Sequence, residues 1–242
     1  MKLYSELAEW WQVISPTADY VDEAAFFGHL FEEAGASTIL ELGAGGGNIA
    51  SFLKHDFEMT LTDLSPRMIE SSKKQNPECQ HFVGDMRSVS LDRTFDGVFI
   101  HDAIMYMISE GDLRAVFNNA HRHCKPGGIL VVAPDCTRET FKECTDYEGH
   151  DAPPPDNRSV RYIQWTYDAD PADTVFNYDF ILALRKGEEL TTAIDRQLCG
   201  VFPRKTWLEL MSDEGFDAKA VKDTSTNTET NDRAEIFVGH KR

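Results

Sequence analysis

The stretch "TILELGAGGGNIASFL", residues 38–53, reads as a short buried strand, a glycine loop and the opening of a helix. Glycines in that position let a ligand approach the backbone, because they carry no Cβ and accept left-handed torsions. What flanks the loop decides the fold, and the charges around it decide the ligand.

Upstream, residues 2–14 and about 18–35 are expected to be helical. In "DYVDEAAFFGHLFEEAG" the residues Val21, Ala24, Ala25, Phe27, Leu30 and Phe31 recur at helical spacing, and Gly35 stops the run. Downstream, "EMTLTD" gives a second strand ending at Asp63, with Ser65-Pro66 opening the next helix. "QHFVGD" and "FDGVFIHDA" read as the third and fourth strands, a helix covers about 111–124, and "KPGG" turns into a fifth strand, "ILVVAP". Strands alternating with helices at this rhythm predict a parallel sheet with helices on both faces.

The pattern then changes. Residues 138–158 are polar and contain "APPPD", which predicts a loop or lid. "SVRYIQWTYDA", "DTVFNYDFILALR" and "ELTTAIDRQLCG" follow as alternating runs, the signature of an antiparallel meander. "PRKTWLELMSDEGF" is a helix, and "DAKAVKD" and "AEIFVGHK" are two closing strands joined by the turn-rich "TSTNTETND". The expected architecture is α/β: a Rossmann-like, seven-stranded, mostly parallel sheet with helices on both faces, plus an inserted antiparallel β meander. Residues 1–135 and 201–242 would form the core, and 136–200 a lid loop and β cap within the same domain.

Composition narrows the function. Of 242 residues, 41% are hydrophobic and 27% charged, as in an ordinary globular domain. The acidic "MKLYSELAEWW" lacks a signal-peptide core and no apolar run suits a bilayer, so a cytoplasmic protein without membrane contact is expected. Five scattered cysteines without a CxxC pair predict reduced thiols and no metal site. The net charge of −17 opposes a nucleic-acid partner, whose backbone is bound through lysine and arginine.

A dinucleotide loop wants G-x-G-x-x-G; Gly43 and Gly45 fit, but the third position is Asn48. No G-K-[ST] follows, which excludes a P-loop. Glu41, at the strand end, would oppose a pyrophosphate and favour an ammonium group. Asp63 suits ribose hydroxyls. Asp85, at the tip of the third strand, suits an adenine amino group. Three acids at successive strand ends match a ligand with amine, ribose and adenine in that order, which is S-adenosylmethionine.

At this point the chain resembles the class I S-adenosylmethionine-dependent methyltransferases, in their small-molecule branch. The matching residues are "ELGAGGGNIA", "LTDLSPRMIE", "GDMRS", "FDGVFIHDAIMYM" and "KPGGILVVAP", with a weaker match at "WLELMSDEGFDAKAV" and "AEIFVGHK". The resemblance implies S-adenosyl-L-methionine as cofactor and S-adenosyl-L-homocysteine as product. It implies Gly43, Ala44 and Gly45 under the methionyl part with Glu41 nearby, Asp63 on the ribose, Leu64 and Met68 near the adenine, and Asp85, Met86 and Arg87 at its edge. His101 would lie beside the methyl-transfer centre. "LYSELAEWW" resembles a helix of small-molecule members, which suggests Tyr4 near the cofactor and Trp11 closing over it.

The methyl would pass in line to N or O of a small metabolite, and His101, Asp102 and Tyr106 are the candidates to assist, His101 as a base near neutral pH. Arg138, Tyr147, His150, Arg161, Trp165 and Tyr178 of the insert are the candidate substrate residues, with an arginine available for a substrate carboxylate. A homodimer through the meander is a further expectation. A non-catalytic cofactor-binding protein of the same fold and a nicotinamide oxidoreductase are the competing readings.

Overall fold

The computed structural model describes residues 1–222 and 235–242. The expected link "TSTNTETND", residues 224–232, lies outside them. A seven-stranded sheet is built from β1 (Thr38–Leu42), β2 (Glu58–Asp63), β3 (Gln80–Val83), β4 (Phe95–Ile100), β5 (Cys124–Val132), β10 (Phe216–Lys222) and β11 (Glu235–Lys241). Their order across the sheet is β10-β11-β5-β4-β1-β2-β3. The first five strands are parallel, while β11 runs antiparallel to β5 and to β10.

Alternation along β1 assigns its side chains to two layers. Ile39 packs with Phe27 and Phe31 of helix α2 (Val21–Glu33), whereas Leu40 and Leu42 face the cluster containing Phe117 of α5 (Glu110–His123) and Trp207 of α6 (Arg204–Asp213). Glu41 shares the face of Ile39 yet is a carboxyl, so its burial there calls for a partner. The remaining helices of the core are α1 (Trp11–Ile14), α3 (Ala50–Leu53) and α4 (Pro66–Gln75). Strand order reverses between β1 and β4, and ligands of open α/β sheets bind in the crevice at that point.

The meander forms a separate antiparallel sheet of β6 (Cys144–Asp151), β7 (Arg158–Tyr167), β8 (Val175–Lys186) and β9 (Glu189–Gly200). Here the structure corrects the sequence reading: Cys144–Asp151, expected within a loop, is the edge strand of this sheet. Residues 2–14 are not one helix either, but a turn, a 3-10 turn at Ala8–Trp10 and the short α1. This amino-terminal segment packs on the inner face of the meander, with Leu3, Trp10, Val13 and Ile14 against Val160, Leu182 and Leu184. No helix of the described residues is long and apolar enough to cross a membrane.

Candidate active site

The glycine loop is fixed from beneath. The amides of Gly43 and Ala44 both donate to the Thr62 carbonyl, at 2.9 and 2.8 Å, which draws the loop over the end of β2. Gly43 has φ +80°, and a Cβ there would stand 2.6 Å from Ala103 Cβ and 2.7 Å from Met86 Cε. No larger residue fits. The Gly45 amide donates to Asp63 Oδ2 at 2.9 Å and the Ser65 amide to Oδ1 at 2.7 Å. Burial raises the Asp63 pKa and these two amides oppose it. The result is a carboxylate held in one orientation, with lone pairs left for hydroxyls.

Glu41 differs. It is buried, its Oε2 has no hydrogen-bond partner, and burial pushes its pKa up to about 8, with His101 pulling it down and Asp63 adding to the rise. A buried acceptor without a donor is unfavourable, so the site is shaped for a donor from a ligand, best a cationic one.

These groups line a cavity of about 730 Å³, ample for a nucleoside cofactor. Tyr4, Trp11, Glu41, Gly43, Ala44, Gly45, Asp63, Leu64, Asp85, Met86, Arg87 and His101 all border it. Met68 does not: it is fully buried, and its methyl lies 3.6 Å from where a Gly45 Cβ would be, so it props the loop from below. Leu64, 66% exposed, offers an apolar surface at the rim. Asp85 has a partner that sequence reasoning did not assign. Arg87 holds both its oxygens through Nε and Nη2 and bonds Asp112 through Nη1 at 2.7 Å, which lowers the Asp85 pKa.

The amino-terminal segment straps across this cavity. Ser65 Oγ donates to the Tyr4 carbonyl and Arg67 to that of Ser5, tying the strap to the start of α4. From the other side Asp195 of β9 accepts from the Lys2 and Leu3 amides at 2.7 and 3.2 Å. The Tyr4 and Tyr106 hydroxyls are 2.6 Å apart; Tyr106 donates to Gln197 Oε1 at 2.7 Å, and Gln197 in turn donates to Asp195. Burial raises the Tyr106 pKa further, so this phenol stays neutral and serves as a link in the chain rather than a base. Trp11 packs on Tyr4 at 5.3 Å. Asn48, the misfit in the dinucleotide pattern, donates to the Ser15 carbonyl and accepts from Gln12, clamping loop to strap.

A second chamber of about 580 Å³ lies between core and meander on the far side of His101. His101, Asp102, Asp135 and Tyr178 border both spaces. His101 Nε2 lies 3.3 Å from Asp102 and 3.5 Å from Glu23. Burial works against its charge, but Asp102, Glu23 and Asp135 outweigh it and push the pKa up to about 9. At neutral pH His101 is therefore an imidazolium, which does not suit the base role expected of it. Asp135, whose pKa is raised well above the usual range by burial and by Asp102, hydrogen-bonds Asp102 as a proton-sharing pair. Asp135 and Glu23 escaped sequence reasoning. The signal for Asp135 was the one already used for Glu41, Asp63 and Asp85, an acid just past a strand end.

The candidate substrate residues divide. Tyr178 and His150 border the chamber. Arg138 does not; it pairs with Asp168 at 2.6 Å. Arg161, Tyr147 and Trp165 lie on the outer face, Arg161 paired with Asp151 and the two aromatics 74% and 52% exposed. Alternation explains this: Tyr162, Gln164 and Thr166 of β7 turn inward, so Arg161 and Trp165 turn outward.

The crevice at the sheet's switch point, with carboxylates placed for an ammonium and a ribose and no lysine among the described residues that border it, fits a ligand with a cationic end, a ribose and no phosphate. A family model described as a methyltransferase domain matches residues 39–128, the stretch that runs from β1 into β5. A dTDP-3-amino-3,4,6-trideoxy-alpha-D-glucopyranose N,N-dimethyltransferase of Streptomyces venezuelae is 30% identical over 129 residues, 52% of this chain and 54% of that protein. A dTDP-4-amino-2,3,4,6-tetradeoxy-D-glucose N,N-dimethyltransferase of Saccharopolyspora spinosa is 31% identical over 101 residues, 41% of each chain. The chain thus spans about half the length of the curated relatives it matches. Among solved structures, Streptomyces venezuelae DesVI superposes with a TM-score of 0.82 at 21% identity, covering 93% of this chain and 92% of that one. CalS10, an amino pentose methyltransferase from Micromonospora echinaspora solved with S-adenosylmethionine, gives 0.77 at 20% identity and 91% of both chains.

Proposed function

We propose that this protein transfers a methyl group from S-adenosylmethionine to an amine nitrogen of a small metabolite. The observation that carries the reading is that His101, Asp102 and Asp135 border both cavities. When bound, the sulfonium supplies an activated methyl group, leaving as a neutral thioether with the electron pair of the broken C–S bond.

The chain's own part is alignment and proton handling. Glu41 takes the ammonium, Asp63 the ribose hydroxyls, and the strap of Tyr4 and Trp11 excludes water. A protonated amine arriving in the second chamber meets Asp102 and Asp135, which hold it and accept the proton that frees its lone pair. The imidazolium of His101 keeps the Asp102 carboxylate in place. Oxygen acceptors are less well served, because a hydroxyl gains most from a neutral base and His101 is charged. The amino-sugar substrates in the names of the relatives agree with a nitrogen acceptor.

The test is formation of S-adenosylhomocysteine from S-adenosylmethionine and a panel of small amines, followed by mass spectrometry of the methylated product. Transfer to nitrogen supports the reading; cofactor binding without transfer to any acceptor favours a non-catalytic binding protein, and transfer only to hydroxyls moves the chemistry to oxygen.

A homodimer through the outer face of the meander is also proposed. Tyr147, Ile163, Ile181 and Ile194 are cross-strand neighbours in register, forming one apolar row over all four strands. Tyr147, Ile181 and Ile194 are exposed. Exposed patches of this kind mark interaction sites, and a two-fold copy sets the same row against itself.

A further inference from the structure

We infer that the acceptor is a small cationic amine that carries no phosphate, in contrast to the sugar nucleotides named for the relatives. The inference rests on the N-methyltransferase reading above and adds the charge class of the acceptor.

The second chamber is bordered by six acids: Asp19, Glu23, Asp102, Asp135, Asp146 and Glu148. They come from four separate elements, the helical segment before β1, the ends of β4 and β5, and the edge strand β6, so they surround the space rather than line one wall. Among the described residues that border it there is one lysine, Lys142, and no arginine. The nearby guanidiniums that would suit a diphosphate are engaged elsewhere: Arg138 with Asp168, Arg158 with Asp156, and Arg161 with Asp151 on the opposite face of the meander. His150 leans on Glu148 at 3.5 Å. Phosphate recognition depends on bidentate guanidinium or clustered lysine contacts, and this chamber presents the reverse field.

A second observation is independent of the acids. Thr166, buried and bordering the chamber from β7, has no hydrogen-bond partner for its Oγ1, with only the Cys144 sulfur beside it. An orphaned hydroxyl in a polar chamber marks where a ligand hydroxyl or amine sits. Size points the same way. A chamber of about 580 Å³ whose inner end meets the methyl centre suits an amino sugar or diamine. A nucleoside diphosphate on such a sugar would have to leave past Asp146 and Glu148 at the rim, against like charge.

The test uses the full chain loaded with S-adenosylhomocysteine, titrated calorimetrically with 1,4-diaminobutane, D-glucosamine and UDP-D-glucosamine. The expected result is that one or both free amines bind at least about tenfold more tightly than the nucleotide conjugate, and that raising salt weakens them. Asp146→Asn with Glu148→Gln should shrink that ratio to roughly threefold or less while cofactor affinity holds, which also shows that the variant is folded. Equal or tighter binding of UDP-D-glucosamine, with its amine methylated when S-adenosylmethionine is supplied, would overturn the inference and leave the N-methyltransferase reading standing. Cofactor binding with no affinity for any of the three probes contradicts both.

Discussion

With Oε2 unpartnered and its pKa pushed up to about 8 by burial, Glu41 keeps its proton at neutral pH until a cationic group reaches it. S-adenosylmethionine affinity should therefore rise between pH 6 and 8 more steeply in the wild type than in Glu41→Gln, a difference that calorimetry reads and that cancels titration of the ligand itself. The sign for stability is opposite. Glu41 holds a folded-state pKa above its unfolded value, so its contribution is full below about pH 4.5 and is lost towards pH 8; His101 likewise loses its contribution between about pH 6.5 and 9. The cofactor-free melting temperature should fall across that window, at up to ~1.4 kcal/mol per pH unit for each group, and a flat profile would count against both assignments. Asp63→Ala removes a carboxylate set for two hydroxyls and should weaken cofactor binding by about 3 kcal/mol, on the order of 100-fold. Glu41 and Asp63 were legible because a charge at a strand end has few structural uses. The charge state of His101 was less so, because Glu23 and Asp135, which reinforce the adjacent Asp102 in raising its pKa, lie far from it in sequence.

The strap and the meander act as one element across the cofactor cavity. Asp195 and Gln197 of β9 hold the Lys2 and Leu3 amides and the Tyr106 hydroxyl. Asp195→Ala would strand buried donors and should cost about 1–3 kcal/mol of stability. It should also raise the KM for S-adenosylmethionine, a change that thermal melts together with initial rates can separate from simple unfolding. Residues 2–14 read as a helix but fold as a broken strap, in which Ser65 pairs the Tyr4 carbonyl that a helix would pair internally and Asp195 takes the Lys2 and Leu3 amides. Strand β6 was missed for a different reason. It is an edge strand exposed along almost its whole length, so its residues follow no apolar alternation, and nothing in "CTDYEGHD" distinguishes it from a loop. Strands β1, β2 and β4, buried along most of their length, were legible for the converse reason.

For the molecule as a whole, charge is the organising variable. A chain of net charge −17 places acids at five strand ends and around the acceptor chamber, and leaves an apolar row on the outside of the meander. Replacing Ile181 and Ile194 with Asp should convert a dimer to a monomer in sedimentation or light scattering, without loss of cofactor binding; an unchanged mass would remove the meander as the interface. Methyl transfer in this account runs from a cofactor anchored on Glu41 and Asp63 towards a nitrogen held at Asp102 and Asp135. A crystal structure with S-adenosylhomocysteine and an amine bound tests that line most directly. The account predicts the homocysteine ammonium against Glu41, the ribose on Asp63 and the sulfur facing the amine across His101; a ribose away from Asp63, or a sulfur turned from the acidic chamber, would contradict it.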